Sequence, residues 1–417
     1  MNCHFTARPR ADIVAAMSGP CILFAVFAMT MANATVFATV GLLGRGIGLS
    51  ELQVGTIFVS SAVLFLLTSA RWGVVADRWG RRPVIVAGLA ATAVSLFLFA
   101  GIAHDGSPPS GVLPAFIALL GARAVYGLLA AGTQPAALAA IADVTTVETR
   151  SAGAARIGAA IGLGSVAGPL SVAGLVELGV AAPLVAGGLL SSLAAILLLA
   201  GTPEKPRAPA GGSRPGTNPS SRLRPFLAVA FAMHFAFAAL QATNAFYIQD
   251  RLGIDRMHAM RLAGLVSAAF AASSFVVQAL VIARLGLSPR RLLSLGLALC
   301  LVGPVVCLLP PGYETLLAGF SVLGIGFGFA QPGLMAGASV AAGDRQAEAA
   351  GLLQAAMSAA WIAGALTGTA IYGLAIAGPL VLAALAILGA LALTVRARGE
   401  GRASEPDSRS IGPTRLL

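Results

Sequence analysis

Charged residues are scarce in this 417-residue chain, and Asp, Glu, Lys and Arg together make up only 10% of it. A soluble domain carries about 25% charged residues. Hydrophobic residues reach 57% and the mean hydropathy is +0.87, so the sequence predicts an integral membrane protein built of helices. The low charge excludes a soluble domain. Because no array of catalytic nucleophiles is present, we expect no enzymatic activity.

Acidic residues are also few, sixteen in number, and all of them fall in predicted loops, tails or helix ends. The centre of the predicted membrane region therefore lacks the carboxylate that would attract a cationic compound. The four cysteines do not indicate a disulfide or redox role. Cys300 and Cys307 lie about 10 Å apart along one predicted helix, which is too far for a disulfide.

Twelve apolar runs are long enough to span a membrane, which predicts an all-α fold of two six-helix bundles. A stretch rich in proline, glycine and serine, 202–224, predicts a flexible cytoplasmic linker. The N-terminal bundle is then 1–201, the C-terminal bundle is 225–395, and 396–417 is predicted to be a disordered cytoplasmic tail. The predicted spans are 20–43, 51–72, 84–103, 113–141, 151–174, 181–201, 225–248, 262–284, 292–309, 315–341, 349–374 and 376–395.

Lysine and arginine are distributed unevenly between the loops. With both ends placed in the cytoplasm, the inner segments carry 22 of these residues and the outer loops carry four. Because positive charge accumulates on the cytoplasmic side, we expect both termini inside a bacterial-type inner membrane. The same bias explains most of the net charge of +11, so no nucleic-acid partner is expected. The first apolar run continues through Ala32-Asn33-Ala34, and we predict a spanning helix there instead of a cleavable signal.

The two halves of the chain resemble each other. The pair Gln134-Pro135 in the fourth predicted span resembles Gln331-Pro332 in the tenth, and the two glutamines are 197 residues apart. Internal duplication around a midplane site is typical of transporters.

A densely charged stretch between two apolar runs, 73–83, reads G-V-V-A-D-R-W-G-R-R-P. Because such charge cannot lie in hydrocarbon, it predicts a tight, hydrated turn. The stretch resembles the loop 2–3 signature of the major facilitator superfamily, G-x-L-A-D-R-x-G-R-[RK], with Val75 where leucine is usual. The resemblance implies a conformational latch on the cytoplasmic side, made of Gly73, Asp77, Arg78, Gly80, Arg81 and Arg82.

Within this latch, Asp77 and Arg81 are expected to stabilise the outward-facing state. Asp143, Glu148 and Arg150 in the predicted 4–5 loop are candidate partners of the latch arginines, or else solvated loop charges.

Arg123 lies about ten residues into the fourth predicted span. A charged side chain at that depth is costly and has to face protein or water. With Tyr126 and Gly127 after it, Arg123 resembles the superfamily's fourth-helix signature, R-x-x-x-G. Resemblance to drug:proton antiporters implies a role in proton coupling. The alternative is an arginine tied to backbone carbonyls.

In the fifth predicted span, Gly164, Gly168 and Pro169 match the antiporter signature G-x-x-x-G-P. The resemblance implies export. The alternative is a packing face of small residues with no directional meaning.

Arginines and neutral polar residues occupy the predicted mid-membrane region. His234 either takes part in proton coupling or is a packing residue, and Arg156 either faces the cavity or reaches the inner surface. We therefore expect a small organic substrate that is anionic or neutral and polar, such as a metabolite, a metal chelator or a drug. The expected cavity residues are Asn33, Arg123, Tyr126, Gln134, Arg156, His234, Gln241, Asn244 and Gln331.

Two other functions stay open. Methionine and histidine suit copper, and Met233, His234, Met257, His258 and Met260 therefore allow a copper-type metal importer, although the spacings M-x-x-x-M and H-x-x-x-M are absent. The second open function is a membrane sensor or assembly factor that has the same fold and does not transport a substrate. The preferred interpretation is a monomeric, proton-coupled exporter in the lipid bilayer that works by alternating access, with no cofactor and no bound metal.

Overall fold

The computed structural model describes residues 9–104, 111–143, 145, 149–200, 223–310, 312–343 and 345–403. Within these ranges, twelve stretches are helical, long and apolar enough to cross a membrane. The predicted all-α class and the count of twelve spans are confirmed. The helices are α1 (Pro9–Gly46), α2 (Glu51–Trp79), α3 (Arg81–His104), α4 (Val112–Ala130), α5 (Thr133–Asp143), α6 (Arg150–Leu175), α7 (Ala182–Ala200), α8 (Arg224–Leu252), α9 (Arg256–Val276), α10 (Ile282–Leu285), α11 (Pro289–Cys307), α12 (Tyr313–Ala342), α13 (Gln346–Tyr372) and α14 (Gly378–Ala403).

Two of the twelve spans are interrupted helices. The fourth span, Val112–Asp143, consists of α4 and α5 with a break at Ala131 and Gly132. Pro135 lies in the first turn of α5, where a missing N–H is tolerated. The eighth span, Arg256–Val281, consists of α9 and a π turn at Val277–Val281, and α10 follows it directly. The sequence pattern predicts a continuous apolar run for each of these two spans. Hydrophobicity alone does not indicate where a helix breaks or changes its pitch.

Side-chain caps fix the starts of α2 and α9. Ser50 and Gln53 form a reciprocal capping box at α2. Asp255 accepts bonds from the backbone N–H groups of Met257 at 2.9 Å and His258 at 3.2 Å. The backbone and side-chain bonds from His258, with the bond from Met257, lower the pKa of the Asp255 carboxyl below its ordinary value.

The helices form two bundles, α1–α7 and α8–α14. The bundles meet mainly through α6 against α9 and α2 against α13, which are the fifth and eighth spans and the second and eleventh. The two contacts are equivalent: when spans 1–6 are exchanged with spans 7–12, the contact of spans 5 and 8 becomes the contact of spans 11 and 2. Internal duplication predicts this equivalence. The approach is close, because a Cβ placed on Gly264 of α9 would lie 2.7 Å from the carbonyl oxygen of Pro169 in α6.

The ends of the helices define two opposite faces of the molecule. The terminal face contains the start of α1, the end of α14 and the 73–83 segment. The distal face contains the connections from α1 to α2 and from α8 to α9. Both bundles run the full distance between the two faces.

The 73–83 segment differs from the predicted turn. Helix α2 continues to Trp79, and α3 begins at Arg81, so only Gly80 breaks the helical path. Its φ of 92° and ψ of 160° lie in a region open mainly to glycine. The motif therefore extends α2 beyond the apolar run, which ends at Ser69, and its exposed Arg78 lies on a helical turn instead of on a loop.

The other predicted boundaries lie mostly outside the described residues. In the predicted linker 202–224, only Leu223 and Arg224 are described, and Arg224 begins α8. Helix α14 continues to Ala403, into the segment predicted as a tail, and 404–417 lie outside the described ranges.

Candidate functional site

Arg123 is held inside the N-terminal bundle by side chains from three helices. The Nη2 atom of Arg123 donates hydrogen bonds to Asn33 Oδ1 of α1 and to Ser61 Oγ of α2, both at 3.2 Å. The guanidinium carbon lies 4.3 Å from the centre of the Tyr126 ring, a cation–π geometry. The side chain is 2% exposed, so it faces neither lipid nor bulk water.

No carboxylate accompanies this buried charge. Arg123 contacts two neutral oxygens and a ring, its Nε is buried without a partner, and none of the ion pairs of the described residues includes it. A buried guanidinium is stable when its charge and donors are satisfied, and a missing counter-charge is costly. Among the described side chains, the site therefore holds a positive charge with no carboxylate partner and with one unfilled donor.

Of the predicted cavity residues, Asn33, Arg123 and Tyr126 come together. Ser61, which completes the cluster, was not predicted. A serine in an apolar run carries no distinguishing signal.

His234 and Asn244 lie in the C-terminal bundle and are both buried. The His234 Nδ1 atom lies 2.9 Å from the Ala230 carbonyl oxygen, and its ring meets the edge of Phe327 at 5.6 Å. These contacts fit the packing interpretation. Asn244 Nδ2 donates to Ser267 Oγ at 3.0 Å, while Asn244 Oδ1 is buried without a partner.

The remaining predicted cavity residues do not join the Arg123 cluster through any hydrogen bond given by the described residues. Gln134 and Arg156 are exposed, and Gln241 is half-buried. Gln331 has a buried Oε1 without a partner. The sequence-equivalent Gln134 and Gln331 thus have different surroundings, so the repeat does not predict a shared role for them.

In the 73–83 segment, Arg81 Nη1 contacts Asp143 Oδ2 at the end of α5. This pair joins the segment to the predicted 4–5 connection within one bundle. Arg78 is exposed at the end of α2. The side chains of Asp77 and Arg150, and residue Glu148, lie outside what the structure describes. The latch role stays a prediction.

The fifth-span signature packs against both bundles. A Cβ on Gly164 would lie 2.7 Å from the Phe27 carbonyl oxygen, and one on Gly168 would lie 2.5 Å from that of Met31. Both glycines therefore let α6 approach the backbone of α1. Pro169 faces Gly264 of the other bundle, so the signature lies where the bundles must move against each other.

A charged network at the distal face was not predicted. Arg45 at the end of α1 binds Asp250 of α8 with Nη1–Oδ1 and Nη2–Oδ2 distances of 2.7 and 3.0 Å. Arg45 also contacts Glu51 at 2.8 Å, and the Tyr372 hydroxyl donates to Asp250 Oδ2 at 2.6 Å. We call Arg45, Glu51, Asp250 and Tyr372 the distal network.

A second pair, Arg261 with Glu177, also joins the bundles at the distal face. Among the ion pairs formed within the described ranges, those that cross between bundles all lie on this face. Sequence reasoning missed them because each partner ends a different span, with 205 residues between Arg45 and Asp250.

The methionine and histidine residues that suggested copper do not converge. His258 is exposed in the first turn of α9, at the distal face. His234 lies on α8, about 27 Å from the distal end of that helix when a rise of 1.5 Å per residue is used. Among the described residues, no group of three His, Cys, Asp or Glu could hold a metal ion.

Two six-helix bundles that meet at symmetry-related contacts, with a buried arginine inside the N-terminal bundle, are the architecture of a class of twelve-helix membrane transporters. The Major Facilitator Superfamily is matched over residues 22–365, and the chain belongs to this superfamily. The expectation that the protein is not an enzyme is confirmed by this family and fold.

Relatives with drug-resistance names share modest identity with the chain. Multidrug resistance protein 1 of Bacillus subtilis (strain 168) is 29% identical over 211 residues, covering 49% of this chain and 51% of that protein. Multidrug resistance protein 2 of the same organism is 24% identical over 361 residues, covering 83% and 86%. The chain thus spans about half the length of the first relative and most of the second.

A solved structure has the same fold. It is a bacterial homologue of the human lysosomal transporter Spinster in an inward-facing and unoccupied conformation, with a TM-score of 0.71 and 16% identity. The match covers 97% of this chain and 100% of that one.

Proposed function

We propose that the protein exports small organic anions by alternating access between its two bundles. The observation that carries the proposal is the uncompensated guanidinium of Arg123, which is buried between α1, α2 and α4. Attraction of a negative group to this charge is strong because the surroundings have a low dielectric constant. A cation would meet repulsion there.

The excess of lysine and arginine on the terminal face supports its assignment to the cytoplasm. With that assignment, we infer that the distal network closes the outer side, as is expected of an inward-facing state. The Arg81–Asp143 contact then lies on the cytoplasmic side. We infer that Asp77 and Arg81 stabilise the outward-facing state, in which the cytoplasmic ends of the bundles come together.

Export in exchange for protons is the proposed direction and drive. Two features support it: the Gly164–Pro169 signature at the bundle contact, which resembles that of antiporters, and relatives named for multidrug resistance. Arg123 is the proposed coupling residue, because Arg123 and Gly127 match the fourth-helix signature R-x-x-x-G that this chain shares with proton antiporters.

Transport in inverted membrane vesicles tests this function. The probes are naphthalene-2-sulfonate, a permanent anion, and trimethyl(2-naphthyl)ammonium, a permanent cation of similar shape. We expect uptake of the anion to rise several-fold when the vesicle interior is acidified, and the cation not to accumulate.

Two matched variants complete the test. Arg123→Gln should reduce anion uptake at least tenfold, whereas Arg290→Gln, which removes an exposed arginine at the start of α11, should stay within twofold of the parent. Accumulation of the cation, unchanged by Arg123→Gln, would refute the proposal.

A further inference from the structure

Six aromatic rings form a continuous cluster near the middle of the membrane. Phe37 stacks on Phe58 at 4.8 Å and meets Trp361 at 5.2 Å. Trp361 meets Phe237 at 5.5 Å, edge to face. Phe237 in turn contacts Phe270 at 4.8 Å and Phe327 at 5.2 Å. We call Phe37, Phe58, Phe237, Phe270, Phe327 and Trp361 the ring cluster.

The ring cluster joins the two bundles. Phe37 and Phe58 belong to α1 and α2, and the other four rings belong to α8, α9, α12 and α13. Phe37, Phe237, Phe327 and Trp361 are only half-buried. A tightly packed core covers such rings fully, so these four rings keep accessible surface where the two bundles meet.

The Arg123 cluster lies directly beside these rings. Asn33 precedes Phe37 by four residues on α1, and Ser61 follows Phe58 by three on α2. Residues at these spacings share one helix face, about one turn or 5.4 Å apart. The two oxygens that bind Arg123 and the two rings of the N-terminal bundle therefore form adjacent layers, one polar and one aromatic.

We propose that the central site binds planar aromatic anions, with the acidic group at the layer of Arg123, Asn33 and Ser61 and the ring system packed against the Phe37–Trp361 pair. This inference rests on the proposed function, which supplies the sign of the charge. The two layers are one helical turn apart, which suits an acid attached directly to a ring system or through one atom. A ring packed against Phe37 and Trp361 contacts both bundles at once.

Aromatic ligands should bind better than saturated ligands of the same skeleton. Both bury a similar apolar area, and the saturated compound loses only the offset and edge-to-face contacts with the rings. Two such contacts correspond to a preference of about tenfold or more. Simple hydrophobic burial predicts no such preference.

Calorimetric titration of the full chain in lipid nanodiscs provides the test. The probes are naphthalene-2-sulfonate and decahydronaphthalene-2-sulfonate, two anions of equal charge and the same carbon skeleton, of which only the first is planar and aromatic. We expect the parent protein to bind the aromatic anion at least tenfold more tightly. Trp361→Leu and Phe37→Leu should each reduce that ratio to about threefold or less, whereas Trp361→Phe should retain it.

Phe231→Leu is the control, because Phe231 is 38% exposed and stacks only on Phe235, outside the ring cluster. It should leave the ratio unchanged. If Trp361→Leu does not fold, Phe37→Leu and the parent ratio decide the outcome. Equal affinities for the two anions, an unchanged ratio in a folded Leu variant, or no binding of either anion would overturn the inference. Both probes are anions, so equal binding of the two would contradict the aromatic preference and leave the preference for negative charge intact. The proposed function fails separately, when a cation binds as well as an anion.

Discussion

Arg45 and Asp250 come from opposite bundles and form a two-bond pair, with N–O distances of 2.7 and 3.0 Å. The Arg45 guanidinium carbon also lies 4.6 Å from the centre of the Phe246 ring. Tyr372 and Glu51 bind the same pair from α13 and α2. Four helices are thereby fastened at the distal face, and opening this face requires the pair to separate.

Removing the charge at position 250 should favour opening. The pair is partly exposed, so Asp250→Asn is expected to shift the equilibrium by about 1 kcal/mol, or about fivefold, toward a distal-open state. Spin labels at positions 52 and 374, which are exposed on opposite bundles near the distal face, would report the shift as a larger population of long distances.

Asp255→Asn is the matched control for this prediction. It keeps a helix-capping residue at a position outside the distal network. Its distance distribution should equal that of the parent. An unchanged distribution in Asp250→Asn would show that the pair does not hold the face closed.

The ring of Tyr126 is expected to matter more than its hydroxyl. Tyr126→Leu removes the cation–π contact with Arg123 and should lower the free energy of unfolding by about 2 kcal/mol. Tyr126→Phe retains the ring and should lose less than about 1 kcal/mol. Unfolding titrations in mixed detergent micelles measure both values, and equal losses in the two variants would rule out the cation–π explanation.

The close contact of α6 with α1 should not tolerate a methyl group at position 168. A Cβ there would lie 2.5 Å from a backbone oxygen, so Gly168→Ala should cost about 1–3 kcal/mol through overpacking. Gly158 is on the same helix with nothing within 4 Å of an added Cβ, and Gly158→Ala should be neutral or slightly stabilising. Thermal unfolding midpoints compare the two, and equal midpoints would contradict the packing account.

Gly80 should resist substitution because of its backbone conformation. Its φ is 92°, and a side chain there costs about 1–3 kcal/mol. Gly80→Ala is therefore expected to destabilise the α2–α3 junction and slow transport. Gly101→Ala, at a position with open space for a Cβ, should change neither the unfolding midpoint nor the transport rate. A fully active, stable Gly80→Ala protein would refute this.

Composition and hydrophobic runs were sufficient to predict the twelve spans and the division into two halves. The break at Ala131 and Gly132 was not predictable, because small apolar residues look alike in a straight helix and in a broken one. The helical path of the 73–83 segment was missed for a different reason. Charge density correctly excludes this segment from hydrocarbon, but a helix that projects into water satisfies the same condition.

The candidate site was predictable only in part. Arg123 stands out because a charge in an apolar run is rare. Asn33 and Tyr126 are predicted in the same cavity because they are polar residues within apolar runs. The ring cluster was not recognised, since phenylalanines in a membrane span usually pack against lipid or core. Its members come from six helices, and only the tertiary arrangement brings Phe37 to Trp361.

The most direct measurement is the equilibrium affinity of the purified protein for two probes of opposite charge, naphthalene-2-sulfonate and trimethyl(2-naphthyl)ammonium. The fixed positive charge of Arg123 predicts that the parent protein binds the anion at least tenfold more tightly, and that Arg123→Gln abolishes this preference. Tighter binding of the cation by the parent protein, or an anion preference that persists in folded Arg123→Gln, would contradict the account.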